Sequence, residues 1–335
     1  MRCSVAAVTR APSLLAPILM ALALAGCTYV YPVTTLPFQP GFRCFVQVGD
    51  AMPLMQVDTG AESSHFYVES AQRLGLRIGK VDGNAVILTD SAGVRRELTD
   101  FVLDTSFDFG NLLVRSERVV CLPQPRLPEG ASDHDAVDTD GLLGMDVLSH
   151  GVWWFDAPRR VLHVVPQERA EQFVVERGRA IVQRVPLLGE PRRPMVRVQF
   201  TEQEGAELLL DTGADMTSLP LGSAERLSLE SGEELEEQLA MHRAKVRYDE
   251  LVAAGHEDVT VPIRVRTGRS YGVHGVPGEQ HPLLHLPRLQ LGSHLARDLV
   301  VVEDSQTPAL GRDVLGQFDW VLHGPRNELW LLAPR

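Results

Sequence analysis

Two segments of this 335-residue chain carry the same four residues in the same setting. Asp58-Thr59-Gly60-Ala61 follows Val57, and Asp211-Thr212-Gly213-Ala214 follows Leu208-Leu209-Leu210, 153 residues later (211 − 58). In each, an apolar run ends on a carboxylate, then a hydroxyl residue, then a glycine. Two carboxyl groups forced into contact cannot both ionise, so they hold one proton between them. Such a pair is a base and an acid at once. A base that activates a water and an acid that polarises a carbonyl are what hydrolysis without a metal or a covalent intermediate requires.

The surroundings of the two motifs also recur. "LLGMDVL" (Leu142 to Leu148) matches "ALGRDVL" (Ala309 to Leu315), with the two glycines 167 apart (311 − 144). An aromatic–acid pair follows each, Phe155-Asp156 and Phe318-Asp319, then a basic turn and an apolar run. Ordered landmarks that recur once, a whole domain apart, mark a duplication and not a solenoid. The spacings differ by 14 (167 − 153), which places an insertion in the second half, expected as a surface helix within Leu227 to Tyr248. There Ser231 and Glu234 have capping-box spacing. Elsewhere the chain reads as short β-branched runs bounded by Gly, Pro, Asp or Asn, with short helices at "ESAQRLGL" and "GSAERLSL". The expected class is all-β, with few short helices. The charged stretch Pro166 to Ala180 has no strong period and is expected as the boundary.

"LLLDTGADMT" and its earlier counterpart resemble the pepsin and retroviral-protease clan of aspartic peptidases, with alanine after the glycine as in the retroviral form. The resemblance covers residues 43 to 335. It implies two similar retropepsin-like β-barrel lobes, 43–166 and 181–335, joined by a linker at 167–180, with the active site in the cleft between them. It implies that Asp58 and Asp211 are the catalytic pair, one per lobe, acting on a peptide or protein substrate. Thr59 and Thr212 would brace the loops across the lobe interface. Gly60 and Gly213 would let backbone approach the carboxylates. The apolar–Gly segments at Leu143-Gly144 and Leu310-Gly311 would pack behind each loop. A flap is implied in each lobe, with tips near Ala92 and Gly93 in the first and between Gly272 and Gly275 in the second. No tyrosine stands near Gly93, where pepsins carry one, and Gln56 is polar where the family prefers an apolar residue. Both carboxylates lie in one chain, so a monomer is sufficient. A peptide-binding lipoprotein of the same fold that has lost turnover is the alternative reading.

Bulk composition is that of a soluble globular protein with a core. Hydrophobic residues make up 44% and charged residues 23%, enough for about two ordinary domains. A formal net charge of −12 argues against a nucleic-acid partner. The acid-rich "SDHDAVDTDG" does not follow EF-hand order, and Pro282 breaks the helical spacing of "HPLLH". No HExxH or paired CxxC stands in the chain, so no metal and no cofactor is expected.

Residues 1–26 read as a signal peptide: Arg2 and Arg10 precede the uncharged run Ala11 to Gly26. "LAGC", Leu24 to Cys27, resembles a bacterial lipobox, which implies cleavage before Cys27 and acylation of that cysteine. Residues 27–42 then read as a proline-bearing extended tether to the membrane. Thr28 after the cysteine implies the outer membrane of the bacterial cell envelope, with the protein facing the periplasm. In an oxidising compartment Cys44 and Cys121 could pair or stay as buried thiols. Intact-mass analysis of the membrane fraction tests the anchor. Acyl chains on Cys27 and loss of Met1 to Gly26 are expected, and a soluble product with another first residue would refute it.

Overall fold

Alternation along the chain builds most of the secondary structure. In Leu54–Val57, Met55 and Val57 are buried while Leu54 and Gln56 are half-buried. Gln56 therefore sits on the wetter face of its strand, which explains why a polar residue is accepted there. The structure is a computed structural model and describes residues 32–39, 41–80, 86–89, 95–124, 139–231, 269–271, 277–280, 283–304 and 307–334. Among these, Val33–Arg335 form one compact unit. No helix among the described residues is long and apolar enough to cross a membrane. The signal segment, Cys27, the flap tips and most of the proposed insertion helix lie outside the described residues.

Three sheets carry the fold. The first runs Arg43–Phe45, Leu54–Val57, Gly141–Leu143, His65–Tyr67, Leu113–Leu122, Asp100–Asp108, Gln47–Val48, with Ile78–Lys80 paired off Asp100–Asp108. The second runs Ser218–Pro220, His294–Asp304, Leu284–Leu291, Met195–Gln199, Gly205–Leu210, Ala309–Leu310, with Glu230–Ser231 paired off Leu284–Leu291. These are the two barrel-like sheets of a two-lobed, mostly β fold. The third sheet has six antiparallel strands, three from each half, in the order Thr34–Pro37, Val161–Val165, Val152–Asp156, Trp320–His323, Glu328–Leu332, Ile181–Pro186. Its centre is the pairing of Val152–Asp156 with Trp320–His323, where the Phe155 and Trp320 rings stack at 3.9 Å. Both side chains are fully buried, so truncating either would cost about 3–5 kcal/mol.

Three sequence expectations change here, and one open alternative is decided. The tether ends earlier than expected: Thr34–Pro37 is an edge strand paired with Val161–Val165. An edge tolerates Pro37, which has no N–H to give. The stretch taken as a linker holds a helix, Ala170–Glu176, that buries Phe173 and Val174 against Trp154 and Trp330 on the six-stranded sheet. Seven residues are too few for a 3.6-residue period to stand out. The third repeat landmark was misaligned. Asp156 and His323 occupy the same place, each capping a 3-10 turn by accepting from the backbone N–H of Arg159 or Arg326. Trp153 and Trp320 are the matching pair, each donating its indole N–H to a leucine carbonyl, Leu148 at 2.7 Å and Leu315 at 3.1 Å. Lastly, Cys44 and Cys121 do not pair; both are free and buried. Three strands stand between theirs in the sheet order. Burial pushes the Cys44 thiol up to about 12 and Cys121 up to about 11, so both stay neutral.

The six-stranded sheet also buries an imidazole. His163 lies between Trp154 and Phe173, and its Nδ1 is 3.0 Å from the Thr35 hydroxyl. Burial, helped by the charge of Arg177, lowers its pKa to about 4. A lowered histidine pKa means that the unfolded chain binds more protons between about pH 6.5 and 4. This residue's contribution to stability is therefore complete above pH 6.5 and lost as pH falls toward 4. His163→Gln, which keeps a partner for Thr35, should remove about 3 kcal/mol of the parent's stability loss between pH 7 and pH 4. Denaturant melts at the two pH values check this. An identical acid loss in parent and variant would refute it.

Candidate active site

Each Asp-Thr-Gly-Ala loop is anchored by the strand that precedes it and by a short parallel strand beside it. Gly141–Leu143 lies parallel to Leu54–Val57, and the Asp58 N–H donates to the Leu143 carbonyl at 2.9 Å. Ala309–Leu310 lies parallel to Gly205–Leu210, and the Asp211 N–H donates to the Leu310 carbonyl at 3.1 Å. The buried leucines keep both strands in their barrels, so each acid leaves its strand at a set point.

The two loops then lock to each other. The Thr59 N–H donates to the Thr212 hydroxyl at 3.0 Å, and the Thr212 N–H donates to the Thr59 hydroxyl at 3.1 Å. Each hydroxyl in turn donates across to the opposite strand: Thr59 to the Leu210 carbonyl at 2.6 Å, Thr212 to the Val57 carbonyl at 2.8 Å. Both threonines are fully buried. Bonds of this kind in a dry interior leave no room for either loop to shift without orphaning polar groups.

The lock brings the carboxyls together. The two carboxyls lie close enough for the charge of Asp211 to act on Asp58. Each glycine faces the other half's acid: a methyl group at Gly60 would overlap the Asp211 carboxyl, and one at Gly213 would overlap that of Asp58. Only glycine fits either place. Within each loop the near oxygen accepts two backbone N–H groups, Gly60 at 2.8 Å and Ala61 at 3.1 Å for Asp58, Gly213 at 2.7 Å and Ala214 at 3.0 Å for Asp211. Burial raises both carboxyl pKa values, and the charge of Asp211 pushes Asp58 further, well above the usual carboxylate range. The backbone donors work against that rise. Both shifts favour the protonated form of the pair. Tyr67, raised to about 12 by burial and then by the charge of Asp58, stands in the same electrostatic neighbourhood.

Behind each loop is a hydroxyl–carboxylate support that sequence reasoning missed. The Ser64 N–H and hydroxyl both donate to Asp146 Oδ1, at 2.8 and 2.7 Å, and Ser64 Oγ accepts the Gly144 N–H at 2.9 Å. In the second half the Thr217 hydroxyl donates to Asp313 Oδ1 at 2.7 Å and accepts the Gly311 N–H at 3.1 Å. The signal was present: a hydroxyl stands six residues after each motif aspartate, and an aspartate two after each landmark glycine. Burial raises Asp313 to about 6 and raises Asp146 as well.

The described strands on either side of each flap candidate pair with each other. Val86–Thr89 pairs antiparallel with Arg95–Leu98, and Arg269–Tyr271 with Pro277–Gln280. The tips themselves, Ala92, Gly93, Gly272 and Gly275, lie outside the described residues. Among the described residues no cluster of three or more His, Cys, Asp or Glu side chains is arranged to hold a metal.

Residues 46–147 match a protein-family model described as aspartyl protease. That span holds the first motif, the first hairpin and the first apolar–Gly segment. Comparison with curated proteins finds no match.

The threonine lock gives a stability test. Thr59→Val or Thr212→Val keeps shape and removes one hydroxyl, leaving a buried N–H and a buried carbonyl short of a partner. Each change should cost about 2–4 kcal/mol. Both act on one pair of loops, so the double variant should cost less than the sum of the singles. Chemical denaturation measures all three. Losses below about 0.5 kcal/mol would mean that the lock does not hold the halves together.

Proposed function

We propose that this chain, two-lobed and retropepsin-like with an aspartyl protease match over its first lobe, is an aspartic endopeptidase whose working groups are Asp58 and Asp211. The observation that carries this reading is the pair itself: two buried carboxyls from opposite halves, each with the other half's glycine against it.

The chemistry follows from one proton held by two acids. The ionised carboxyl takes a proton from a water while the water oxygen attacks the peptide carbonyl carbon. The protonated carboxyl gives its proton to the carbonyl oxygen, and a neutral gem-diol results. The first carboxyl then passes its proton to the amide nitrogen, the second recovers a proton from a gem-diol hydroxyl, and the C–N bond breaks. One water is consumed, an acid and an amine leave, and the pair regains its single proton. No metal or cofactor enters these steps.

The substrate is an extended peptide segment, and the two hairpins between each motif and its apolar–Gly segment are the elements that would close over it. One chain supplies both carboxyls, so the working unit is a monomer. The lipobox at Leu24 to Cys27 supports a lipid-anchored enzyme of the bacterial envelope acting in the periplasm.

Asp58→Asn and Asp211→Asn should each lower cleavage of a mixed peptide library by about 10²–10⁴-fold. Parent cleavage equal to that of both variants would defeat the enzyme reading. The raised pKa values set the pH dependence. A single shared proton is the active form, so activity should be bell-shaped and peak between about pH 5 and 7. Ala61 and Ala214 have no hydroxyl to donate to the carboxylates. Ala61→Ser with Ala214→Ser adds such donors, favours the charged form and should move the whole bell to lower pH. A parent optimum near pH 2, or a bell that moves upward, would contradict this.

A further inference from the structure

The fold begins closer to Cys27 than the proline-bearing sequence implies. Thr34–Pro37 is paired into the six-stranded sheet, and Val33 already packs against the buried cluster that holds Trp154, Phe173 and Val174. Six residue steps separate Val33 from Cys27 (33 − 27). Fully extended, they span at most about 22 Å. The compact unit Val33–Arg335 has 303 residues (335 − 33 + 1). A radius of gyration of about 19 Å is ordinary for that size. A tether little longer than the radius of the body cannot let the body turn its far side toward the point of attachment.

Two exposed apolar side chains stand next to the place where the first strand begins. One follows the turn 109–112. The Asn111 side-chain amide donates to the Val164 carbonyl at 2.7 Å, and Val164 is the register partner of Thr34. Gly110, at φ +79°, lies against the Thr34 hydroxyl, where a methyl group would be 2.8 Å from that oxygen. Leu113, just after this turn, is 51% exposed. The other is on the helix Ala170–Glu176, whose Phe173 and Val174 belong to the cluster that Val33 covers. There Val175 is 66% exposed. Singly, such residues are ordinary on a surface. These two are set apart by their place beside the entering chain.

The entering chain suits the boundary between water and lipid. Thr28 to Pro32 has no charge and two tyrosines, Tyr29 and Tyr31. Tyrosine is favoured at that boundary, where one end of the ring is apolar and the other wet. Around the helix, Glu168, Glu171 and Glu176 are matched by Arg169, Arg177 and Arg179, so no net charge draws this region to anionic lipid or repels it.

We propose that the surface around the start of the first strand, with Leu113 and Val175, docks on the phospholipid bilayer that holds Cys27. This rests on the lipid-anchor reading above and deepens it: the anchor decides which face meets lipid, and the attitude of the body to the membrane is fixed. Covalent attachment keeps both side chains at the bilayer, so an apolar contact too weak to bind from solution suffices.

Fluorescent labels on single introduced cysteines test this in the full, acylated chain. Leu113→Cys and Val175→Cys report on the proposed face, and Leu221→Cys and Leu295→Cys report on other elements. Cys44 and Cys121 are buried and do not compete for label in the folded protein. Each labelled protein, its acyl chains confirmed by intact mass, is reconstituted into phosphatidylcholine vesicles with and without phosphatidylglycerol. A parallel set contains lipid brominated near the headgroup. Brominated lipid should quench the labels at 113 and 175 by about twofold in both mixtures and leave those at 221 and 295 bright. Equal emission with plain and brominated lipid at 113 and 175 overturns the proposal, as does equal quenching at 221 or 295. Quenching confined to phosphatidylglycerol vesicles would make the contact electrostatic and overturn the apolar one. Labels at 113 and 175 shielded from aqueous iodide yet unquenched by lipid would give the face to a second copy or another protein, which overturns it too. A mature protein without acyl chains defeats the anchor reading and this proposal with it. An acylated protein with unquenched labels defeats the docking alone. If one labelled variant does not fold, the other position decides.

Discussion

The reciprocal bonding of Thr59 and Thr212 is the constraint on which the rest of the molecule depends. Two carboxyls repel as soon as both ionise, and a flexible pair of loops would relieve that repulsion by separating. Here separation would break four hydrogen bonds in a dry interior, two between backbone and hydroxyl and two from hydroxyl to carbonyl. The cheaper response is to keep one proton. Proton sharing would thus follow from rigidity, and burial raises both carboxyls in the direction that sharing needs.

That rigidity is supported from two distances. Close behind the loops, Ser64 with Asp146 and Thr217 with Asp313 tie each loop to the glycine of its landmark segment. Farther away, the six-stranded sheet joins the halves by direct pairing of Val152–Asp156 with Trp320–His323. The stacked Phe155 and Trp320 rings cross that seam. The sheet sets how the barrels meet, and the threonines set how their loops meet. A shift in either would separate the carboxyls.

Duplication explains the symmetry and also permits departures from it. A pair made by two identical chains must carry the same residue at both matched positions. One chain with two halves can place Met145 in one and Arg312 in the other, each donating its N–H to the alanine carbonyl of its own motif. It can also place Asp156 and His323 at the same turn, each capping it with a different side chain. Such differences break the two-fold symmetry of the two halves.

The make-up of the candidate site was legible in sequence because it depends on short, local patterns. Asp-Thr-Gly-Ala twice, each behind an apolar strand and ahead of an apolar–Gly segment, identifies the acids, the bracing hydroxyls and the glycines before any coordinates exist. The all-β class was legible for the same reason, since alternation has a period of two and shows in five residues. What needed the tertiary structure was everything that depends on which segments meet. Thr34–Pro37 looked like a tether because an edge strand buries little and has no strong pattern of its own. Ala170–Glu176 looked like a linker because seven residues show no helical period. The third landmark was misjudged because Phe155-Asp156 and Phe318-Asp319 resemble each other as letters, whereas strand register matches Asp156 to His323. Cys44 and Cys121 are two thiols in any string of letters, and only the sheet order puts three strands between them. The neighbours of Arg312, finally, come from both ends of the chain, from Gly41 to Asp313. Which of them meet is decided in space, which sequence separation does not encode.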